Sequence, residues 1–128
     1  MNEKTFLVIV DDLFFSSKIG ETIRHLDGAP IFAAEISELP EDMNKHSFVG
    51  IIVDLDLSRM DPINAISHLR MIGTATEVPM IAYGRHTKPE SFGLARKAGC
   101  DQAIPRSEFV RRLPEFIQTC MRMAGTKT

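Results

Sequence analysis

Three aspartates directly follow two short apolar runs of the sequence. Phe6 to Val10 is followed by Asp11 and Asp12, and Phe48 to Val53 is followed by Asp54. Apolar runs without alternation, rich in β-branched residues, indicate strands buried on both faces, as in a parallel sheet covered by helices. Ligands bind at the carboxyl ends of the strands in such sheets, so these aspartates stand where reactive groups are expected.

Carboxylates at adjacent strand ends could bind a metal ion and accept a phosphoryl group. If the two strands are neighbours, their ends lie about 5 Å apart, and repulsion pushes at least one of Asp11, Asp12 and Asp54 towards protonation. A hard divalent cation such as Mg²⁺ resolves this conflict, because it favours oxygen ligands. An aspartate beside the ion can then attack a phosphoryl donor. The alternative is that each aspartate only forms a turn or caps a helix, which is the role assigned to Asp56 and Asp61.

The rest of the chain alternates strands and helices. Strands are predicted at 6–10, 29–36, 48–53, 78–83 and 100–105, and helices at 14–26, 37–46, 61–73 and 89–98, with Gly99 as a left-handed C-cap. A last helix is predicted from Ser107, with a buried face of Val110, Leu113, Ile117 and Met121. Pro114 predicts a kink, or a helix that begins near Leu113. This pattern predicts an α/β fold, a doubly wound parallel sheet with helices on both faces, in a single domain over 1–128.

The composition limits the classes of function. A length of 128 residues, 44% hydrophobic and 25% charged, is typical of one soluble globular domain. The formal net charge of −2 provides no basic surface for nucleic acid or an anionic membrane. No apolar run approaches the roughly 20 residues that span a bilayer, and the N-terminus lacks the apolar region of a signal peptide. With only two isolated cysteines, a cytoplasmic location is expected.

Four segments resemble the receiver domain of two-component response regulators, and the resemblance covers essentially the full length. They are VIVDD at 8–12, IIVDLDLSRMD at 51–61, VPMIAYG at 78–84 and AGCDQAIPRS at 98–107. The resemblance implies a flavodoxin-like five-stranded sheet of order 2-1-3-4-5 and places Asp54 as the phosphoacceptor. It also implies that Asp12 and Asp54 bind Mg²⁺ directly, that Asp11 acts through water, and that the backbone carbonyl of Asp56 completes the protein ligands.

The sequence departs from the receiver pattern around this site. Gly84 stands where receivers usually have a Ser or Thr hydroxyl, and Tyr83, one residue earlier, cannot simply inherit that role. Arg106 replaces the usual lysine and Ser107 the proline after it; the guanidinium keeps the positive charge and can hold phosphate oxygens in a fork. Ala103 replaces the usual aromatic residue on the fifth strand.

These departures lead to a hypothesis about switching. The usual lever, a hydroxyl that moves towards phosphate while an aromatic ring turns inward, is missing. Any switching here is therefore expected to use Arg106 together with the loop from Gly84 to Lys88.

Two functions remain open at this point. The first is a receiver, not itself an enzyme, that accepts a phosphoryl group on Asp54 from a histidine kinase or phosphotransfer protein and signals to a downstream protein. The second is a pseudo-receiver that keeps the fold and binds partners without phosphorylation. A small hydrolase is disfavoured because no cap domain fits this length, and a nucleotide-binding domain because neither G-x-G-x-x-G nor a P-loop is present. A homodimer through the last two helices is left open.

Overall fold

A computed structural model describes residues 4–35, 39, 48–71, 77–85 and 88–126. The strands are β1 (Lys4–Ile9), β2 (Gly28–Ala33), β3 (Gly50–Asp54), β4 (Met80–Gly84) and β5 (Gln102–Pro105), and the helices are α1 (Leu13–His25), α2 (Pro62–Leu69), α3 (Pro89–Ala98) and α4 (Arg106–Thr126). The helix predicted at 37–46 lies, apart from residue 39, outside the described residues, as do positions 86 and 87 of the predicted loop.

The five strands form one parallel sheet of order β2-β1-β3-β4-β5. This confirms the predicted fold class and strand order. β1 and β3 are neighbours, with Ile9 opposite Val53, so the two apolar runs that precede the aspartates lie side by side. Strand boundaries differ from the predicted ones by up to three residues, because hydrogen bonding rather than hydrophobicity ends a strand.

Both faces of the sheet are covered by helices, which explains the apolar runs without alternation. Successive strand residues point to opposite faces, so Leu7 packs towards α2 and α3, whereas Phe6 and Val8 pack towards α1 and α4. All three side chains are fully buried. A substitution anywhere in such a strand therefore disturbs one of two cores.

The start of α2 is as predicted, but its end is not. Asp61 is the N-cap, accepting hydrogen bonds from Ile63 N and Asn64 N, with Pro62 in the first turn. The helix ends at Leu69, so the predicted end at Gly73 is wrong. Arg70, the C-cap, donates to the backbone carbonyls of Val78 at 2.6 Å and Gly99 at 2.9 Å. These bonds tie the helix end to distant segments, which no local signal in the sequence reveals.

Gly99 ends α3 as its C-cap, with a φ of 135°. An added Cβ there would lie 2.5 Å from Cγ of Arg70. Both the backbone angle and the close approach of Arg70 require glycine at this position.

The last helix differs from its prediction in start and face. α4 runs continuously from Arg106 through Pro114 to Thr126, so a start near Leu113 is wrong. Its buried residues are Phe109, Leu113, Phe116, Ile117 and Cys120, whereas Val110 is 36% exposed and Met121 is half-buried. The predicted face was partly wrong because residues 109 and 110 fit the same helical period, and the stacking of Phe109 on an aromatic ring of β4 decides between them. Pro114 lies on the exposed side.

Among the described residues, no helix is both long enough and apolar enough to cross a membrane.

Candidate functional site

The predicted acidic residues meet at one edge of the sheet. Asp54 is the last residue of β3, and Asp11 and Asp12 lie between the neighbouring strand β1 and helix α1. The ends of β4 and β5 reach the same edge, which places Gly84 and Arg106 there as well. The fold therefore brings five predicted site positions to the carboxyl ends of β1, β3, β4 and β5. They are Asp11, Asp12, Asp54, Gly84 and Arg106.

Asp54 is a buried carboxylate, with only 1% of its surface exposed. Its Oδ1 accepts a hydrogen bond of 2.8 Å from the backbone N–H of Asp56. Burial raises the pKa of Asp54, and the negative charges of Asp56 and Asp11 add to this, while the Asp56 N–H and the positive charge of Arg106 oppose it. The prediction that one acid shifts towards protonation is confirmed in direction, but desolvation rather than repulsion is the main cause.

Asp11 is held by a residue that sequence reasoning missed. Its Oδ2 accepts two hydrogen bonds from Ser58, 2.9 Å from the backbone N–H and 3.0 Å from the hydroxyl. Burial acts to raise the pKa of Asp11, but these bonds and the interactions with Arg59 hold it below its ordinary value. Asp11 therefore stays ionised beside a carboxylate whose pKa moves the other way.

Asp12 caps helix α1. Its Oδ1 accepts hydrogen bonds from the backbone N–H groups of Phe14 at 2.8 Å and Phe15 at 3.2 Å. The cap role considered for an isolated aspartate is therefore real for Asp12. Both bonds use Oδ1, so the cap does not use Oδ2.

The residues present fit Mg²⁺ in their chemistry. Asp11, Asp12 and Asp54 are hard oxygen donors at one edge of the sheet, as this ion requires. Within the described part of the chain, however, no three His, Cys, Asp or Glu side chains are arranged to hold a metal ion. Ser58 and the first turn of α1 hold two of the carboxylates instead. Binding of the ion would therefore require these side chains to turn.

The carboxylate of Asp56 joins two arginines. Its Oδ2 accepts the backbone N–H of Arg85 at 3.1 Å and lies 3.8 Å from Nη2 of Arg106 and 4.0 Å from Nε of Arg85. Arg106 also lies over the ring of Phe15, with its Cζ 4.8 Å from the centroid. The sequence assigned Asp56 a turn and, by resemblance, a metal-binding carbonyl; its side-chain role was missed.

Gly84 has a neighbour where its side chain would begin. It is the last, buried residue of β4, and an added Cβ would lie 3.1 Å from Cβ of Leu55 and 3.6 Å from a ring carbon of Phe92. The missing hydroxyl therefore coincides with close packing around the backbone.

Tyr83 lies beside Asp54, although sequence reasoning set it aside. The two residues are register partners on β4 and β3, and side chains paired in this way point to the same face. The ring of Tyr83 stacks on Phe109, with centroids 4.2 Å apart, and lies 5.2 Å from the ring of Phe15. Burial raises the pKa of Tyr83 above its ordinary value, and the charge of Asp54 adds to this. No local signal in the sequence gives this pair, because it depends on the register of β4 against β3.

Comparison with known proteins rests on structure. No protein-family model matches the sequence, and no curated protein matches it. A response regulator receiver domain protein from Clostridium thermocellum superimposes with a TM-score of 0.78 over 98% of this chain and 99% of its own, at 16% identity. The chain has the receiver-domain fold. The chemotaxis response regulator CheY4 of Vibrio cholerae gives a TM-score of 0.77 at 18% identity, over 93% of this chain and 99% of that protein.

A third receiver domain is described with a metal ion. The receiver domain of the sensor histidine kinase PA1611 from Pseudomonas aeruginosa has magnesium coordinated in its active site cleft. It matches with a TM-score of 0.73 at 18% identity, over 91% of this chain and 98% of its own. At these identities the likeness establishes the fold.

Proposed function

We propose that this chain is a receiver that accepts a phosphoryl group on Asp54 in the presence of Mg²⁺ and signals through a partner protein. The observation that carries the proposal is the position of Asp54 in the receiver fold. It is a buried carboxylate at the end of the central strand, with Asp11 on the neighbouring strand end and Arg106 on the other side.

The reaction is a transfer of a phosphoryl group to a carboxylate oxygen. The ionised carboxylate of Asp54 attacks phosphorus, so that an oxygen–phosphorus bond forms while the bond from phosphorus to the donor's leaving group breaks. Arg106 offers its guanidinium to the phosphoryl oxygens, exchanging its contact with Asp56 for a more strongly charged partner. In-line positioning and charge compensation supply most of the catalysis of such a transfer.

Magnesium would be held by Asp11, Asp12, Asp54 and the backbone carbonyl of Asp56, and would neutralise the charge that gathers during transfer. The chain's own contribution is to keep Asp11 ionised through Ser58. It also keeps Asp54 in a dry position, with one oxygen fixed by the N–H of Asp56.

The proposed partners follow from a receiver function. A histidine kinase or phosphotransfer protein would supply the phosphoryl group, and a downstream protein would bind the altered surface. The proposal further includes a cytoplasmic location, and it assigns no enzymatic turnover, nucleic-acid binding or membrane binding to this domain. A homodimer remains an open alternative for the output.

The second candidate is a pseudo-receiver that binds partners without phosphorylation. Two observations favour it: Gly84 offers no hydroxyl to a phosphoryl group, and the acids are held by protein donors rather than turned together towards an ion.

An intact-mass measurement decides between the two. The protein is incubated with acetyl phosphate or phosphoramidate and Mg²⁺, beside Asp54→Asn. Asp27→Asn is a matched control, because Asp27 is exposed in the turn after α1 and has a φ of 70°, which asparagine tolerates. We expect one phosphoryl group on the parent and on Asp27→Asn and none on Asp54→Asn. An absence of adduct, together with no effect of Mg²⁺ on the thermal midpoint, would establish the pseudo-receiver instead.

A further inference from the structure

Two buried side-chain donors in the described residues have no hydrogen-bond partner: the hydroxyl of Tyr83 and Nε of Arg106. Both belong to side chains near Asp54: the positive charge of Arg106 opposes the raised pKa of Asp54, and the charge of Asp54 helps to raise the pKa of Tyr83. Buried donors are almost always satisfied in folded proteins, because an unmade bond keeps the full desolvation penalty. Because both donors lie near one buried carboxylate, they are available to an acceptor that binds or forms at that carboxylate.

The hydroxyl of Tyr83 is held in place by its ring. Phe109 stacks against it, with an interplanar angle of 18°, and Phe15 packs against it at 5.2 Å. Tyr83 itself is fully buried in β4, in the cluster that packs under α1 and α4. The ring therefore has little freedom to carry its hydroxyl away from the neighbouring strand end.

We infer that Tyr83 is a positioning residue for Asp54: its hydroxyl donates a hydrogen bond to the Asp54 carboxyl group when the site takes up Mg²⁺ and a phosphoryl group. This inference rests on the proposed function. The backbone N–H of Asp56 already fixes Oδ1 of Asp54, and a second donor from the sheet side would fix the plane of the carboxyl group. The phenol holds its proton firmly, since its pKa is raised by burial, so it donates and does not act as a base.

This role would supply a hydroxyl that Gly84 lacks, but from another direction. A side chain at position 84 would start beside Leu55 and Phe92, towards α3, whereas Tyr83 points to the face of α1 and α4. Its side chain therefore lies on the same face of the sheet as Asp54, away from the side of position 84.

Replacing Tyr83 with phenylalanine tests the role of the hydroxyl separately from that of the ring. Tyr83→Phe keeps the stack with Phe109 and Phe15 and removes only the donor, which interacts with Asp54 but makes no hydrogen bond of ordinary geometry in the resting fold. We therefore expect Tyr83→Phe to be at least as stable as the parent. The rate of phosphorylation by acetyl phosphate should fall about tenfold, the factor expected for one lost hydrogen bond in the transition state.

A spectroscopic test reads the bond directly, because the chain contains one tyrosine and no tryptophan. Tyrosine labelled with ¹³C at Cζ gives a single resonance, whose position depends on the hydrogen bond of the hydroxyl. It is recorded for the parent, Asp54→Asn and Asp27→Asn, without metal, with Mg²⁺, and with Mg²⁺ and acetyl phosphate. We expect the resonance to move on addition of Mg²⁺ and acetyl phosphate in the parent and Asp27→Asn, and to stay unmoved in Asp54→Asn.

The two readouts separate this inference from the proposed function. If the parent takes up a phosphoryl group but the resonance does not respond, or if Tyr83→Phe is phosphorylated at the parent rate, the inference is overturned and the proposed function stands. If the parent takes up no phosphoryl group, the proposed function fails, and the positioning role fails with it.

Discussion

At the scale of single residues, Asp54 and Asp11 show how one edge of a sheet shifts two carboxylates in opposite directions. Burial raises the pKa of Asp54. At Asp11 the two hydrogen bonds from Ser58 and the interactions with Arg59 together outweigh burial and lower the pKa. The pair therefore combines an acid that is costly to ionise with one that is easy to ionise, and such contrasts are frequent at functional sites.

Asp54→Asn should make the protein more stable at pH 7 in the presence of a metal chelator. The folded pKa of Asp54 lies above its unfolded value of about 3.9. Its favourable contribution is therefore present below about pH 4 and is lost as pH rises through the folded pKa. Asparagine removes the buried charge and keeps an oxygen for the Asp56 N–H. We expect the free energy of unfolding to increase by roughly 1–2 kcal/mol, and the thermal midpoint by about 4 °C per kcal/mol. This gain should shrink as pH falls towards 4.

Asp11→Asn is the matched variant, for which we expect the opposite change in stability. The pKa of Asp11 is lowered, so its stabilisation is present above about pH 4 and is lost as pH falls through the folded pKa. We expect Asp11→Asn to be less stable than the parent at pH 7. Equal midpoints for the parent and Asp54→Asn between pH 5 and 8 would contradict the assignment of a destabilising buried charge to Asp54.

At the scale of elements, Asp56 connects three parts of the site. It lies after β3, its carboxylate accepts the backbone N–H of Arg85 after β4, and the same oxygen lies near the guanidinium of Arg106 at the start of α4. The side chain of Arg85 is mostly exposed, so its own ion pair adds little. The connection therefore depends on the backbone bond to Arg85 and on Arg106.

This connection supports the hypothesis that Arg106 and the loop from Gly84 to Lys88 form the lever for switching. A phosphoryl group on Asp54 would compete with Asp56 for Arg106 and so loosen the connection that Asp56 makes between Arg85 and Arg106. We expect phosphorylation to speed amide hydrogen exchange in the Gly84–Lys88 segment of the parent, by about tenfold if one hydrogen bond opens. Asp54→Asn and Arg106→Ala should both abolish the change.

Arg106→Lys is the control for charge in this experiment. Lysine keeps the positive charge but cannot form the planar fork, so we expect a weaker response than in the parent. The lever hypothesis would be wrong if Arg106→Ala, once phosphorylated, showed the same exchange response as the parent.

At the scale of the whole molecule, the sheet separates two apolar clusters, and each contains one cysteine. Cys100 lies in the cluster under α2 and α3, and Cys120 in the cluster under α1 and α4. Burial raises the pKa of each thiol to about 12. Since the thiolate is the reactive form, both cysteines should be inert in the folded protein.

Thiol labelling can therefore test whether 1–128 behaves as one cooperative domain. In a denaturant series we expect Cys100 and Cys120 to react with a thiol reagent at rates that follow the same unfolding transition, since β1, β3 and β4 contribute to both clusters. Mass spectrometry of the labelled peptides measures each site separately. Faster labelling of one cysteine at low denaturant would show that one face opens independently, contrary to a single cooperative unit.

Much of the fold and the position of the candidate site could be predicted from the sequence. Apolar runs without alternation are typical of strands in a parallel sheet covered by helices, and the aspartates that end them then meet at one edge. The start of α2 at Asp61 and Pro62 is a local signal, since the cap and the proline act within a single turn. By itself, then, the sequence determined the layers of the fold, the edge of the sheet at which the site lies, and the identity of the acidic residues.

Tertiary structure alone decided how these residues are held. Ser58 bonds to Asp11 across 47 residues of sequence, and Tyr83 reaches Asp54 only through the register of β4 against β3. The helical period of α4 does not decide whether residue 109 or residue 110 is buried, and the stacking of Phe109 on Tyr83 does. Such contacts depend on strand register and on packing between distant elements. Local periodicity specifies which residues face the core, but not which partners they meet there.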